Sequence, residues 1–454
     1  MFKPYEQYKP SGIEWLGDVP EHWMVKRGRF CMRVNPSSER LRELGPEDEV
    51  SFVPMEAVGE YGGLNLEITK QLGDVGSSYT EFQDGDIVVA KITPCFENGK
   101  GALAEGLTNG AALGTTELHV LRVLPALDRR FLFYLTISSV YRKTGEAEMY
   151  GAGGQKRVPP EFNKDFRTPL PPSVEQVTIA DFLDRETAKI DTLVAKKRTL
   201  IERLKEKRTA LISRTVTRGL PPDAARAAGL ATHPKLKPSG IDWIRDIPEC
   251  WTPLRLRHIS NGITVGVVVN PSSYVSEDGV PFLLGGDIRE FAIDTTKCNR
   301  CTEESSNGPL KKSRLTTDDV VVVRVGYPGV AAVIPPELEG ANCASMMIVR
   351  RHPRFCSRWL AYAFNSQLGR DQIEIVQYGA AQKQFNISHA VDFTFPFPPL
   401  PEQHAIAEYL DQETAKIDQM IAKVEAAIER LQEYRTALIT AAVTGKIDVR
   451  GTTA

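Results

Sequence analysis

The segment Ser173–Gly219 decides the fold: "SVEQVTIADFLDRETAKIDTLVAKKRTLIERLKEKRTALISRTVTRG". Its apolar residues recur at alternating spacings of four and three, which is the period of a coiled coil. Ser173 is positioned to cap the first turn while Gln176 reaches back to complete a capping box, and Gly219 suits a left-handed helix end. The pattern therefore predicts one helix of about 40 residues, roughly 60 Å long.

The same segment occurs a second time. The hexapeptide "ETAKID" occupies Glu186–Asp191 and again Glu413–Asp418, 227 residues apart in a chain of 454. Pro401 is expected at the first position of the second helix, and Gly445 at its end. Because a narrow apolar seam must be buried, we predict that the two long helices pair. The predicted helix-pairing positions are Leu183, Ile190, Val194, Ile201, Leu204, Leu211, Leu410, Ile417, Ile421, Val424, Ile428, Leu431 and Leu438.

Charge differs between the two copies. Asp184–Arg218 holds 11 basic and 5 acidic residues, whereas Asp411–Arg435 holds 4 basic and 6 acidic ones. This difference favours pairing of the helices with each other over pairing of either with its own copy. The basic excess of the first helix is either a stripe for phosphates or an acidic partner, or merely a solvated face.

Other blocks repeat as well. "YKPSGIEWLGDVPEHW" (Tyr8–Trp23) matches "LKPSGIDWIRDIPECW" (Leu236–Trp251), and "YGAGGQKRV" from Tyr150 matches "YGAAQKQF" from Tyr378. Such a long period indicates a duplicated module and not a solenoid. The intervening sequences differ between the halves, as expected of a duplicated binding module whose two copies bind different targets.

Composition is that of a soluble globular protein, with 42% hydrophobic and 25% charged residues. The most apolar stretch is interrupted by Arg324 and Pro328, so we expect no membrane span. No signal peptide is evident, and seven cysteines are too few for a disulfide framework, so we expect a cytoplasmic protein. A net charge of −2 means that any nucleic acid must be bound by local basic surfaces.

Two extended motifs, each present in both halves, resemble the specificity subunits of bacterial type I restriction–modification systems. They are "KPSGIEWLGDVPEHW" with "KPSGIDWIRDIPECW", and "PLPPSVEQVTIADFLDRETAKID" with "PFPPLPEQHAIAEYLDQETAKID". The resemblance covers the whole chain in the order variable domain, long helix, variable domain, long helix.

The resemblance implies a mixed α/β (α+β) fold: two globular target-recognition domains separated by two long α-helices that form an antiparallel coiled coil, with an internal pseudo-two-fold repeat. It also implies binding of double-stranded DNA at a bipartite site, with two methyltransferase subunits and restriction helicase-nuclease subunits as partners. The expected boundaries are target-recognition domain 1 at 1–168, long spacer helix 1 at 169–219, a linker at 220–235, target-recognition domain 2 at 236–395, long spacer helix 2 at 396–447, and a C-terminal tail at 448–454.

Motifs for catalysis are missing. "NPSS" at Asn35 and Asn270 lacks the second proline and the aromatic ring of an adenine methyltransferase loop, so we interpret it as a turn. We therefore expect a non-catalytic chain without its own cofactor, with S-adenosylmethionine and ATP with magnesium on the partner subunits. Cys298 and Cys301 have the spacing of zinc ligands, but without a second matched pair we expect two reduced surface thiols.

DNA contacts require Arg, Lys, Asn or Gln on elements that reach a groove. We expect the base-reading residues within the divergent regions 29–121 and 257–348. The two repeated segments that begin at Tyr150 and Tyr378 are glycine-rich loops. Because they are alike, they either contact phosphate or simply pack against the start of the long helix. Four tryptophans (Trp15, Trp23, Trp243 and Trp251) are expected to be apolar anchors. The predicted DNA-binding residues are Lys91, Asn98, Lys100, Gln155, Lys156, Arg157, Arg324, Tyr327, Gln382, Lys383 and Gln384.

An alternative hypothesis is a coiled-coil protein-interaction scaffold without DNA specificity. The modest net charge permits it, and salt-dependent DNA binding would separate the two hypotheses. The target bases and the gap between half-sites do not follow from the sequence.

Overall fold

The computed structural model describes residues 3–76, 78–152, 154–241, 243–268, 270–379 and 383–451. The chain forms two compact units. Unit 1 comprises Met1–Lys197 together with Glu425–Ala454, and unit 2 comprises Arg198–Val424. In the described part of the chain, no helix combines the length and the apolar character needed to cross a bilayer.

Two long helices carry the repeated segment. Long helix 1 spans Ser173–Arg218 and long helix 2 spans Leu400–Val443, so they have 46 and 44 residues. Gly219 and Gly445 follow the helix ends with φ of 85° and 71°, which confirms their prediction as left-handed caps. The helices run antiparallel, because residue 191 of long helix 1 pairs with residue 435 and residue 208 pairs with residue 418.

The predicted seam faces inward. The positions that are buried are Leu183, Ile190, Val194, Ile201, Leu410, Ile417 and Leu438. The positions that are half-buried are Leu204, Leu211, Ile421, Val424, Ile428 and Leu431. In long helix 2 the half-buried positions lie together in the middle, between Ile421 and Leu431.

The capping-box prediction for Gln176 is wrong. Its side-chain oxygen accepts a hydrogen bond from the Asp128 N–H (2.7 Å), and its amide donates to the Pro171 carbonyl (2.8 Å). In unit 2, Gln403 accepts from the Cys356 N–H at 2.9 Å in the same way. The repeated glutamine therefore ties the start of each long helix to the globular part of its unit, because those buried backbone groups need partners.

A second repeated contact fastens each unit to its helix. The Tyr134 hydroxyl donates to Asp184 at 2.7 Å, and the Tyr362 hydroxyl donates to Asp411 at 2.8 Å.

The tryptophans are less uniform than predicted. Trp23 and Trp251 are fully buried, but Trp243 is 56% exposed, so its prediction as an anchor is wrong.

Unit 1 contains two four-stranded sheets and two antiparallel strand pairs. One sheet is antiparallel, in the order 32–34, 118–123, 87–90, 101–103; the other is mixed, in the order 69–71, 49–53, 111–114, 80–83. The strands are Tyr8–Pro10, Asp18–Pro20, Met24–Arg27, Met32–Val34, Glu49–Val53, Thr69–Gln71, Thr80–Gln83, Ile87–Ala90, Gly101–Leu103, Ala111–Gly114, Leu118–Val123 and Arg167–Leu170. The shorter α-helices are Glu39–Arg42, Arg129–Ile137, Ser139–Ala147 and Pro160–Asp165.

Unit 2 repeats the antiparallel sheet, and its mixed sheet has three strands, in the order 299–301, 280–283, 342–343, where that of unit 1 has four. Its four-stranded sheet has the order 263–265, 346–349, 320–323, 331–333, beside a three-stranded sheet and smaller strand pairs. The strands are Leu236–Pro238, Asp246–Pro248, Thr252–Arg255, Ile263–Val265, Val280–Leu283, Ile288–Arg289, Ala292–Ile293, Asn299–Cys301, Val320–Val323, Ala331–Val333, Asn342–Cys343, Met346–Val349 and Thr394–Phe397. The shorter α-helices are Pro222–Ala227, Leu256–Ile259, Glu303–Asn307, Ser357–Asn365, Gln367–Val376 and Ile387–Ala390.

One strand holds the same place in both units. Ile87–Ala90 and Val320–Val323 are inner strands of their antiparallel sheets and are buried throughout. The turns before them carry Asp86 and Asp319, both buried, which pair with arginines of the neighbouring strand at 2.7 and 2.6 Å. The two β-branched runs therefore correspond.

Segments expected to be connections also have structure. The region 220–235, predicted as a linker, contains the helix Pro222–Ala227. In unit 1 the residues after long helix 2 pack on the beginning of the chain. The Asp448 N–H donates to the Lys3 carbonyl (2.8 Å), and the Tyr8 hydroxyl donates to the Gly445 carbonyl (3.0 Å).

Candidate nucleic-acid interface

In unit 1, two segments predicted to contact DNA lie side by side. They are the strand-end loop, residues 91–100, and the glycine-rich loop, residues 150–158. The Thr93 N–H donates to the Lys156 carbonyl at 3.0 Å, and the Val158 N–H donates to the Lys91 carbonyl at 2.8 Å. Segments 60 residues apart in sequence therefore form one surface.

Unit 2 has the same arrangement. Its strand-end loop, residues 324–330, pairs with its glycine-rich loop, residues 378–385. The Gly326 N–H donates to the Lys383 carbonyl at 3.0 Å, and Val325 forms a bridge with Gln384. Gln382, a predicted contact residue, lies outside the described residues.

The predicted residues differ in exposure. Asn98, Gln155, Lys156, Tyr327 and Lys383 are exposed. Lys91, Lys100, Arg157 and Gln384 are half-buried, and Arg324 is buried. The exposed group contains amide, cationic and aromatic side chains, which are the types that contact base edges and phosphates.

Two of the half-buried cations are already engaged within unit 1. The Arg157 guanidinium lies 2.8 Å from a Glu117 oxygen, and this contact raises the pKa of Arg157 and lowers that of Glu117. The Lys100 ammonium donates to the Met55 carbonyl at 3.0 Å. In this conformation both side chains organise the loops from within.

Arg324 occupies an interior position. Its side chain is buried, Nε donates to the Phe385 carbonyl at 3.0 Å, and burial lowers its pKa. This placement favours a role in holding the glycine-rich loop of unit 2 against the strand. Tyr327, three residues further on, is 83% exposed at the tip of the strand-end loop.

Sequence reasoning missed Tyr150 and Tyr378 as candidates. Each tyrosine is the first residue of its glycine-rich loop, and its ring is exposed. Its backbone pairs with a later residue of the same loop, Tyr150 with Arg157 and Tyr378 with Gln384. Their identity in the two repeats was a usable signal, because an exposed aromatic ring beside cationic loops can contact sugars and bases.

His119 lies beneath this surface in unit 1, and we expect it to make the stability of unit 1 depend on pH. It is buried, and its Nε2 lies 2.8 Å from the Val158 carbonyl. Burial lowers its pKa to about 4, because the imidazolium form is poorly solvated there. Below the ordinary pKa of 6.5 the unfolded chain binds a proton that the folded unit does not. We expect unit 1 to lose about 3 kcal/mol of stability between pH 6.5 and 4.

Denaturant unfolding of wild type and His119→Gln at pH 7.5, 5.5 and 4.5 checks this expectation. Glutamine can still donate to the Val158 carbonyl but does not titrate in this range. In the variant, the stability of unit 1 should therefore fall much less between pH 7.5 and 4.5 than in wild type. A fall as large as that of wild type would contradict the assignment to His119.

The cysteine prediction needs one correction. Cys298 is half-buried, but Cys301 is buried in unit 2 and is not a surface thiol, and burial raises the pKa of both. Throughout the residues that the structure describes, no group of three or more His, Cys, Asp or Glu side chains could hold a metal ion.

Two relatives from Escherichia coli match part of the chain. The type I restriction enzyme EcoEI specificity subunit is 40% identical over 164 residues, and the EcoAI specificity subunit is 42% identical over 164 residues. Each match covers 36% of this chain and 27% of the relative, so the aligned segment spans about a quarter of those proteins. No protein-family model matches the chain.

Similarity along the whole chain is weaker. The type I restriction enzyme MjaVIII specificity subunit of Methanocaldococcus jannaschii is 22% identical over 448 residues, covering 95% of this chain and 94% of that protein. A solved chain from a study of complex assembly and conformational transition of the type I R-M system has a TM-score of 0.66 at 19% identity. It covers 94% of this chain, and 99% of that chain is matched, so the two share a fold. The resemblance inferred from the sequence is therefore confirmed: this chain is a homologue of type I restriction enzyme specificity subunits.

Proposed function

We propose that this chain is the sequence-specific DNA-binding subunit of a type I restriction–modification complex. Unit 1, through target-recognition domain 1 (residues 1–168), binds one half of a bipartite double-stranded site, and unit 2, through domain 2 (residues 236–395), binds the other. The observation that carries the proposal is the repeated surface: in both units a strand-end loop and a glycine-rich loop meet and present exposed polar and aromatic side chains.

The differences between the units support an asymmetric site. The antiparallel sheet and the contacts to the long helices recur, but unit 1 adds a four-stranded mixed sheet where unit 2 adds a three-stranded one. The strand-end loops also differ in sequence, "KITPCFENGK" against "RVGYPGV". A common framework holding different loops fits two half-sites of different sequence, because base contacts specify while phosphate contacts position.

The chemistry then belongs to other subunits. We propose that this chain is non-catalytic and docks two methyltransferase subunits and restriction helicase-nuclease subunits in the cytoplasm. Those partners would hold S-adenosylmethionine, and ATP with magnesium. This assignment is consistent with the missing adenine methyltransferase loop of the sequence.

The salt dependence of DNA binding tests the proposal. Lys156 and Lys383 are exposed at matching places in the two glycine-rich loops. If each contacts a phosphate, the double variant Lys156→Ala/Lys383→Ala should lower the slope of log affinity against log salt by about two. Lys164→Ala is the control, since that ammonium already pairs with Glu161.

The measurement is binding to random-sequence and cognate duplexes between 50 and 200 mM salt, by the chain with its methyltransferase partner. A steep slope in wild type, reduced in the double variant for both duplexes, supports the proposal. A protein-interaction scaffold would instead show no steep slope, and that result would overturn DNA binding as the function.

A further inference from the structure

Unit 1 contains a contact in which one largely buried arginine joins the two helices and the globular part. Arg435 of long helix 2 is 11% exposed and binds Asp191 of long helix 1 through two nitrogens, at 3.0 and 3.2 Å. The same guanidinium lies over the Tyr61 ring, 5.6 Å from its centroid, and contacts the Tyr61 carbonyl at 3.4 Å. One arginine therefore joins both helices to a loop of the globular part.

Unit 2 contains the same contact with the helices exchanged. Arg208 of long helix 1 is 16% exposed and pairs with Asp418 of long helix 2 at 3.0 Å. Its guanidinium lies 5.3 Å from the centroid of Phe291 and 3.0 Å from Glu290. Asp191 and Asp418 are the last residues of the two "ETAKID" copies, so each hexapeptide supplies the partner for an arginine of the opposite helix.

Both aromatic residues have an unusual backbone conformation. Tyr61 has φ of 63° and Phe291 has φ of 62°, in the left-handed region that bulky side chains rarely adopt. Such a conformation is strained, and it persists only where neighbouring structure enforces it. Its presence at matching places in two otherwise different sequences indicates that the ring must face the helix arginine.

Each aromatic residue also contacts its strand-end loop. The Tyr61 N–H donates to the Gly99 carbonyl at 3.0 Å, near the end of the strand-end loop of unit 1. A Cβ at Gly99 would lie 2.9 Å from the Tyr61 ring, so loop and ring are in close contact. The Phe291 N–H donates to the Ala331 carbonyl at 3.1 Å, immediately after the strand-end loop of unit 2.

Stability alone does not account for arginine at these positions. Arg208 and Arg435 occupy the apolar 4-3 repeat, where leucine or methionine would be the more stabilising residue. Each arginine is largely buried and has lost most of its hydration, whereas its aspartate partner stays more than half exposed. An ion pair with such an exposed partner is screened by water and contributes little to stability that an apolar residue would not. In unit 1 the Arg435 Nη1 is buried and has no partner among the described residues.

We propose that Arg435 and Arg208 are positioning residues for DNA recognition. Each fixes the strand-end loop of its own unit on the helix pair, through Tyr61 or Phe291, and thereby sets the discrimination of one half-site. The inference rests on the proposed function. It predicts that each arginine affects the half-site of its own unit and not the other.

The test compares Arg435→Met with Arg208→Met in the complex with the methyltransferase subunits. Methionine keeps the apolar seam filled but removes the ion pair and the contact with the aromatic ring. Enrichment of bound duplexes from a random library gives the preference for each base at each position. A correct base is normally preferred by about tenfold or more. We expect each variant to lose about threefold to tenfold of this preference in one half-site, and the two variants to affect opposite half-sites.

Two further variants separate positioning from folding. Tyr61→Ala should reproduce the effect of Arg435→Met on the same half-site, whereas Tyr61→Phe should behave as wild type, since Phe291 serves in unit 2. If wild type enriches no sequence, the proposed function itself fails. If wild type is specific, and the arginine and Tyr61→Ala variants keep its preferences or weaken both half-sites equally, the positioning role is overturned. If one arginine variant fails to fold, the results for Tyr61→Ala and for the other arginine variant decide the test.

Discussion

Insertion of one heptad into each long helix is expected to abolish modification of the original DNA site. The insertions belong between Lys197 and Arg198 and between Val424 and Glu425, where the two compact units meet along the sequence. Seven residues keep the 4-3 repeat in register and lengthen each helix by about 10 Å. If the helices set the gap between half-sites, the new site should have a gap longer by roughly three base pairs.

We expect methylation of the original site to fall by about a hundredfold or more, as observed by sequencing modified adenines in cells carrying the variant complex. Three extra base pairs also turn the duplex by about 100°, so binding to the new site should be weaker than wild-type binding. Insertion into long helix 1 alone is the control, because it leaves seven residues unpaired and should impair both sites. Retention of the original gap by the double insertion would refute the spacer role of the helices.

Replacement of Trp251 by alanine is expected to lower the free energy of unfolding of unit 2 by about 4 kcal/mol. The ring is fully buried, and its removal leaves a large cavity. The indole N–H also donates to Glu402 at 2.9 Å, and that contact opposes the rise in the pKa of Glu402 that burial causes. Alanine therefore removes packing and leaves the half-buried carboxyl group of Glu402 without its donor.

Trp243→Ala provides the matched control eight residues away. Its ring is 56% exposed, so the change in stability should stay within about 0.5 kcal/mol. Hydrogen exchange under mild denaturant measures both variants, since it reports on peptides of unit 2 separately from those of unit 1. Equal effects of the two substitutions would contradict the packing described for Trp251.

Much of the framework could be predicted from the sequence. The 4-3 spacing predicts the helix pair and its buried seam, because an apolar repeat of 3.5 residues is removed from water when two helices pair along it. The glycines at 219 and 445 marked the helix ends, since a left-handed residue there favours glycine. The repeated hexapeptide is visible in the sequence, but the role of its aspartates follows only from the arginines that they contact in the structure.

The surface was predicted less completely. Arg324 follows a β-branched run, and the sequence does not tell on which side of the strand end its side chain emerges. Tyr61 and Phe291 lie in the divergent region, at a spacing different from that of the framework blocks, so their correspondence becomes visible only through their contacts. Cys301 is predicted as a reduced surface thiol because a single CxxC lacks the second matched pair of a zinc site. Its strand, Asn299–Cys301, is too short for an alternating pattern that would assign an inward face.

The division of the chain has a consequence for its synthesis. Unit 2 is one continuous stretch, whereas the core of unit 1 includes Ile439 and Val443, which leave the ribosome more than 200 residues after the other core residues of that unit. Unit 2 can therefore complete its core first, although it is encoded second, while the apolar side chains of nascent unit 1 remain accessible to water and chaperones. A released polypeptide that ends at Val424 would therefore have a native middle and an unfinished beginning.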